Sequence, residues 1–325
     1  FIFNEKKLGS TVGRLNLPII KFDSAYKRNI DQWINEANGN KFVLIYSLEA
    51  RFLKIAKYIK TKYPDVTIGI IVADLPEFMS WNKYYIMLGL QKRDVNTIFN
   101  NLQYIDRFIL LSKYMVEKLP IKDTPWIVME GIFDSNSLFK SFSPKHNKQK
   151  SLLYTGNIDR RYGIMDAINA FTSLTYKDIS FQICGFGDTE NDIREMVKRD
   201  GRIKFYGAVP RSEALKLQQE ASILINPRHS SEEYTKYSFP SKTMEYLASG
   251  TPVLMCRLAS IPKEYEKYLY FIDNESIDGY AKAIANLIEK REKDLSLMGY
   301  NARDFILNNK NPYVQTKKII DFIQL

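Results

Sequence analysis

Lys242 and Glu245 stand three residues apart in the string Phe239-Pro240-Ser241-Lys242-Thr243-Met244-Glu245-Tyr246-Leu247-Ala248-Ser249-Gly250. Pro240 and Ser241 suit a first helical turn and Gly250 suits a stop, so the spacing predicts a helix that carries both charges on one side near its start. A lysine beside the free N–H groups of a helix start can meet phosphate, and a carboxylate there can accept hydrogen bonds from sugar or ribose hydroxyls. A capped helix with an i,i+3 ion pair is the plain alternative. A long polar run from Ser230 leads into this helix and brings Tyr237 and Ser238 up to Phe239.

Three further loops carry residues of the same kind. Gly156-Asn157-Ile158-Asp159-Arg160-Arg161-Tyr162-Gly163 is bounded by glycines and holds two arginines just ahead of a predicted helix. Backbone N–H groups, a helix dipole and guanidinium forks could together hold a diphosphate there. Gly185-Phe186-Gly187-Asp188 allows either close approach of a ligand or a tight strand-to-helix turn. Gly207-Ala208-Val209-Pro210 allows main chain to approach a flat base. Asp74, at the end of a predicted strand, is a candidate for contacting a substrate hydroxyl or assisting its deprotonation, against a helix-cap role before a proline turn. No Asp-x-Asp pair falls at a plausible strand end, which agrees with an expectation of neither metal nor cofactor. His146 and His229 read as surface or loop histidines.

Such residues need strands to carry them. Short β-branched or aromatic runs alternate with helical patterns, which is the mark of parallel sheets wound with helices. The first series reads as strands at Leu17–Phe22, Lys41–Tyr46, Thr67–Val72, Arg107–Leu111 and Trp126–Met129, with helices near Ala25–Asn38, Leu48–Lys62 and Ser112–Leu119. The second reads as strands at Ser151–Thr155, Ile179–Cys184, Ile203–Tyr206, Ala221–Asn226, Thr251–Met255 and Leu269–Ile272, followed by helices to the end. Between them a Ser, Lys and Asn-rich stretch without period reads as a linker. The boundaries expected are 1–137 for a first domain, 138–150 for the linker and 151–325 for a second domain, each Rossmann-like and doubly wound. Ligands of such sheets bind beyond the carboxyl ends of the strands.

Composition narrows the class. With 325 residues, 45% hydrophobic and 26% charged, the chain suits two α/β domains and excludes fibrous or disordered classes. No apolar run reaches membrane-span length. Two cysteines in predicted strands point to a reducing, cytoplasmic setting. A net charge of +10 calls for an acidic partner. Part of it lies on Leu48–Tyr63, where Arg51, Lys54, Lys57 and Lys60 recur every three residues while Phe52, Ile55 and Ile59 keep helical spacing. That helix is either a solvated face or a contact for an anionic membrane. Nucleic-acid motifs are absent.

The run from Leu152 to about Ile288 resembles the donor domain of family 4 retaining glycosyltransferases of the GT-B fold, in particular the bacterial capsule and surface-polysaccharide branch. "FPSKTMEYLASGTPV", the two glycine loops and "KFYGAVP" carry the likeness. In the first half, "VADLPEF", "IDRFILLSKYMVEKL" and "VMEGIFDSNSLF" are similar to the acceptor domain, and the opening strand and glycine-rich loop have no clear counterpart. The resemblance implies two Rossmann-like domains facing a cleft, a terminal helix packing back, and metal-free transfer of a hexose from a nucleotide sugar to a glycan or lipid-linked acceptor. It sets Glu245 on the ribose. Donor contacts are expected from Gly156, Asn157, Arg160, Gly185, Gly187, Ala208, Val209, Tyr237, Ser238, Phe239, Pro240 and Ser241, and catalysis from Asp74, Arg161 and Lys242. Tyr237 stands where the family has the first of two glutamates, and Asn157 and Tyr162 stand where it has an arginine and a lysine, so Arg160, Arg161 and Lys242 are expected to neutralise the diphosphate. A non-catalytic sugar-nucleotide-binding partner subunit, or a GT-B epimerase or phosphorylase, are the other readings.

Overall fold

The computed structural model describes residues 2–4, 24–37, 39–79, 83–121, 123–134 and 150–324. The chain divides into two compact units, Phe1–Glu130 with Ile319–Leu325, and Gly131–Lys318. The first unit is built from β1 (Ile2–Asn4), α1 (Ser24–Glu36), β2 (Lys41–Tyr46), α2 (Ala50–Lys62), β3 (Thr67–Val72), α3 (Lys83–Met87), α4 (Leu90–Asn101), β4 (Arg107–Leu110) and β5 (Trp126–Val128). Its strands lie in chain order, parallel except for β1, which runs antiparallel to β2.

The second unit continues with β6 (Lys150–Asn157), α5 (Ile164–Ser173), β7 (Ile179–Phe186), α6 (Glu190–Arg199), β8 (Ile203–Gly207), α7 (Arg211–Glu220), β9 (Ile223–Asn226), α8 (Tyr234–Tyr237), α9 (Ser241–Ser249), β10 (Val253–Cys256), β11 (Tyr270–Ile272), α10 (Ile277–Ile288) and α11 (Glu292–Asn309). The last helix, α12 (Pro312–Gln324), belongs to the second unit up to Lys318 and to the first from Ile319. There Ile319 and Phe322 bury themselves with Leu44, Ile109 and Met129.

Among the described residues the expected strands and helices appear with ends moved by a few residues, save in one place. Ser112–Leu119 is not an α-helix but a 3-10 turn, Lys113–Glu117, opened by the Ser112 hydroxyl accepting from the Tyr114 N–H at 3.3 Å. With Pro120 so close behind, the chain has no room for further turns. The expected strand Leu17–Phe22 and nearly all of the 138–150 linker lie outside the described residues. On α2, Leu53, Ile55, Ala56 and Ile59 are buried as the period requires. Lys60, expected on the basic face, instead donates to Asp106 Oδ2 at 2.9 Å and to the Val66 carbonyl at 3.1 Å. Among the described residues no helix is long and apolar enough to cross a membrane.

The second sheet is parallel throughout, in the order β11-β10-β9-β6-β7-β8. Strands covered on both faces must be apolar along their whole length, and Leu152, Leu153, Ile223, Leu224, Val253 and Leu254 are at most 1% exposed. The chain winds from β6 outward to β8, then returns to the other side of β6 with β9. β6 and β9 pair only through Leu152 with Ile223 and Leu153 with Leu224, then part. The backbone of Thr155 therefore finds no strand on that side, and the fully buried Tyr246 of α9 serves it instead. Its hydroxyl accepts from the Thr155 N–H and donates to the Thr155 carbonyl, both at 2.8 Å. Tyr246→Phe is expected to lose about 3 kcal/mol, because both backbone groups would be left buried and unpaired. Urea unfolding measures it, and a loss below ~1 kcal/mol would show that water replaces the hydroxyl.

Candidate functional site

The point where the strand order reverses, between β6 and β9, is where doubly wound sheets leave a crevice at their carboxyl ends. The loops after β6 and β9 border it. They touch directly: a Cβ on Gly163, which caps α5 at φ +74°, would lie 2.1 Å from the Pro227 carbonyl oxygen and 3.1 Å from His229 Nε2. Only glycine satisfies both the left-handed backbone and the close approach.

The loops after β6 and β7 are tied by two aspartates. Asp188 Oδ1 accepts from the Arg160 N–H at 2.7 Å, and Asp159 Oδ1 accepts from the Asp188 N–H at 3.1 Å. A Cβ on Gly185 would fall 1.9 Å from the Gly156 carbonyl oxygen, and one on Gly187 would fall 2.6 Å from the Asp159 nitrogen. The glycines thus let two loops close on each other, a use that the sequence does not distinguish from ligand approach. Asn157 Oδ1 turns the chain by accepting from the Asp159 N–H at 2.6 Å. Arg160 reaches away to Asp192, at 2.5 Å, whereas the exposed Arg161 has its closest carboxylate, Asp159, at 4.0 Å. Ala208 is exposed and Val209 half-buried where β8 leaves the sheet, after Gly207 at φ +67°.

Lys242 and Glu245 project together from the first turns of α9, as the spacing predicts. Lys242 Nζ lies 2.9 Å from Glu245 Oε1, which also accepts from Gln218 Nε2 at 2.8 Å. Arg211, at the start of α7, approaches Oε2 only to 3.7 Å. A carboxylate oxygen offers two lone pairs, so Oε1 is filled and Oε2 is left to accept from a hydroxyl. Gln218 also donates to Thr155 Oγ1 at 2.8 Å, so the carboxylate is braced from β6 as well as from α7. Neither Gln218 nor Arg211 was marked by sequence, because helix α7 reads as an ordinary surface helix. Ser241 is exposed, Pro240 is buried as the cap, and Phe239 packs on Tyr265 with ring centres 5.4 Å apart. Ser238 donates to the Tyr234 carbonyl at 3.1 Å, and Tyr237, at the end of α8, is 5% exposed.

His229 is not a plain surface histidine. Its Nε2 lies 2.8 Å from Asp166 Oδ2 and its Nδ1 lies 3.2 Å from Glu275 Oε2, which pins the β9 loop to α5 and to the β11 loop. His146 lies outside the described residues. Asp74 is exposed in the first unit, two residues past β3, and caps nothing among the described residues. Burial pushes the Cys184 thiol up to about 11 and Cys256 up to about 12, so neither is a nucleophile at neutral pH.

Solved structures share this architecture. The chain is similar to a sucrose-phosphate synthase from Thermosynechococcus elongatus, at 13% identity over 92% of this chain and 76% of that one, with a TM-score of 0.65. The Anabaena protein HepE, solved in complex with UDP, gives 13% identity over 91% and 81% of the two chains and a TM-score of 0.66. The pneumococcal O-GlcNAc transferase GtfA, in complex with UDP and GlcNAc, gives 17% identity over 92% and 59% and a TM-score of 0.55. No curated protein matches the chain by sequence. The two parallel-sheet units and these likenesses define a GT-B fold with two Rossmann-like domains. Residues 136–305, just over half of the chain, match the family described as glycosyl transferases group 1, and the chain belongs to that family. It is a GT-B glycosyltransferase, a class that moves sugars from nucleotide sugars.

Proposed function

We propose that the chain is a retaining, hexosyltransferase-like enzyme of family 4, of the bacterial capsule and surface-polysaccharide type. Its donor is a nucleoside diphosphate sugar and its acceptor a glycan or lipid-linked sugar. The observation that carries this reading is Glu245 held by Lys242 and Gln218 with Oε2 left open, set on a helix start beside the switch point. Glu245 accepts from the ribose diol. Breaking the glycosidic bond puts negative charge on the departing diphosphate, and Arg161, Lys242 and the N-terminus of α9 answer it without a metal. Arg160 is less suited, since Asp192 already holds it. Gly156, Asn157, Gly185 and Gly187 shape the floor under the diphosphate, Ala208 and Val209 flank the base, and Tyr237–Ser241 border the sugar. Asp74 assists the acceptor hydroxyl.

A cytoplasmic enzyme that meets lipid-linked sugars works at a membrane face. Lys27, Lys54, Lys57 and Lys62 border a surface hollow of about 440 Å³ along α1 and α2, which suits peripheral contact with an anionic membrane. One observation favours a second reading. The buried Tyr237, in place of the expected glutamate, suits a sugar-nucleotide-binding subunit without turnover.

Thermal unfolding with UDP, GDP, dTDP and ADP, bare and sugar-linked, tests the donor site. A ligand bound only to the native state raises Tm, and one of these at millimolar concentration is expected to do so. UDP comes first, since HepE and GtfA are solved with it. Lys242→Ala is expected to remove the rise. No rise with any nucleotide would end the donor-site reading, and a rise without transfer to any glycan acceptor would favour the binding subunit.

A further inference from the structure

Arg228 lies two residues past β9, on the opposite side of the switch point from the loop that holds Arg160 and Arg161. Its guanidinium lies 4.7 Å from the centre of the Tyr162 ring and 5.7 Å from that of Tyr234. The two rings meet edge to face, 6.4 Å apart. The side chain is half-buried and, among the described residues, has neither a hydrogen-bond acceptor nor a carboxylate partner. The buried Tyr234 hydroxyl has no hydrogen-bond partner among the described residues, and burial raises its pKa. Buried polar groups in native proteins are normally paired, so an orphan beside an unpaired guanidinium marks a place where a ligand completes the network.

Of the carboxylates on the adjoining loops, Asp166 and Glu275 lie against His229, and Asp159 and Asp188 accept from backbone N–H groups. Tyr162 immediately precedes Gly163, the cap of α5, so Arg228 stands by a helix start where N–H groups also favour an anion. Contact with the two tyrosine rings restrains the guanidinium and spends none of its N–H groups, and a guanidinium presents those donors as a rigid fork where an ammonium is a single point charge.

We propose that Arg228, framed by Tyr162 and Tyr234, binds the diphosphate of the donor and, with the Tyr234 hydroxyl, completes the anion site at the switch point. This rests on the donor-site reading above and adds a residue to it. The cation therefore comes from the β9 loop, compensating for the asparagine and tyrosine, Asn157 and Tyr162, in the loop after β6.

Titration calorimetry with UDP, UMP, uridine and inorganic pyrophosphate on the wild type, Arg228→Gln, Arg228→Lys and Tyr234→Phe decides it. Arg228→Gln is expected to weaken UDP and pyrophosphate about 30-fold, UMP less and uridine not at all, the size of a lost charge-assisted hydrogen bond. Arg228→Lys recovers part of that loss and Tyr234→Phe loses about 5-fold on the phosphates alone. An equal loss on uridine and UDP would mean that Arg228 only shapes the pocket and would overturn the proposal. So would unchanged pyrophosphate and UDP affinity in folded Arg228→Gln. Should wild type bind none of UDP, GDP, dTDP, ADP and pyrophosphate, the donor-site reading itself fails, an outcome distinct from Arg228 being inert in a protein that binds.

Discussion

Glu245→Ala is expected to raise the donor KM about 30-fold while changing kcat by less than about threefold. The magnitude follows from losing one hydrogen bond between a charged group and a ribose hydroxyl, ~2 kcal/mol. The split follows from distance along the reaction: a ribose contact is the same in ground state and transition state, so its loss appears in KM. Glu245 is only 14% exposed at its side chain and accepts from Lys242 and Gln218, so its removal also leaves a half-exposed ammonium and a buried amide without their acceptor. Glu245→Gln keeps the volume and one acceptor, and is expected to fall between wild type and alanine. Steady-state kinetics with the stabilising nucleotide sugar measures both. A large fall in kcat with KM unchanged would place Glu245 at the reacting centre and remove it from the ribose.

The second large effect is on folding. Gly163→Ala must hold a Cβ at φ +74° and 2.1 Å from the Pro227 carbonyl oxygen. The backbone penalty alone is about 1–2 kcal/mol, and the clash is with main chain, which can yield only by moving the loop that carries Arg228 and His229. A total of about 4 kcal/mol is expected, near 10 °C in Tm for a unit of this size. Gly207→Ala is the matched control. It has φ +67° with nothing within 4 Å of the added atom, so it carries the backbone penalty alone, ~1 kcal/mol. Urea unfolding of the two variants compares them. Equal losses would show that the contact with Pro227 is relieved at no cost. Gly163→Ala is also expected to weaken nucleotide binding, because it displaces one wall of the crevice.

Much of the fold was legible because its signals are local. Apolar runs of strand length, helical spacing on α2, and a proline-to-glycine frame around α9 each depend on a dozen neighbouring residues or fewer. They gave β2 and β3 with their observed limits and put Lys242 and Glu245 on one helix side. The 3-10 turn at Lys113–Glu117 was missed because Ser112–Leu119 has helical composition and the deciding features, the Ser112 cap and Pro120, act only at its two ends.

The site was legible in half. Loops that announce themselves with glycines, arginines or a lysine three residues from a glutamate were found, and Arg228 and Gln218 were passed over. Neither sits in a pattern: Arg228 follows a proline in an unremarkable loop, and Gln218 lies on a helix of ordinary polar character. What makes them matter is the order of strands. By composition and spacing, the sequence itself determined two α/β units, the strands that carry the loops and the charged helix start. Which loops meet was decided only in three dimensions, when β9 returned to the far side of β6 and separated from it after two paired residues. That return brings Pro227 against Gly163 and Arg228 over Tyr162 across more than sixty residues of chain, and no periodicity in the sequence records a contact at such separation.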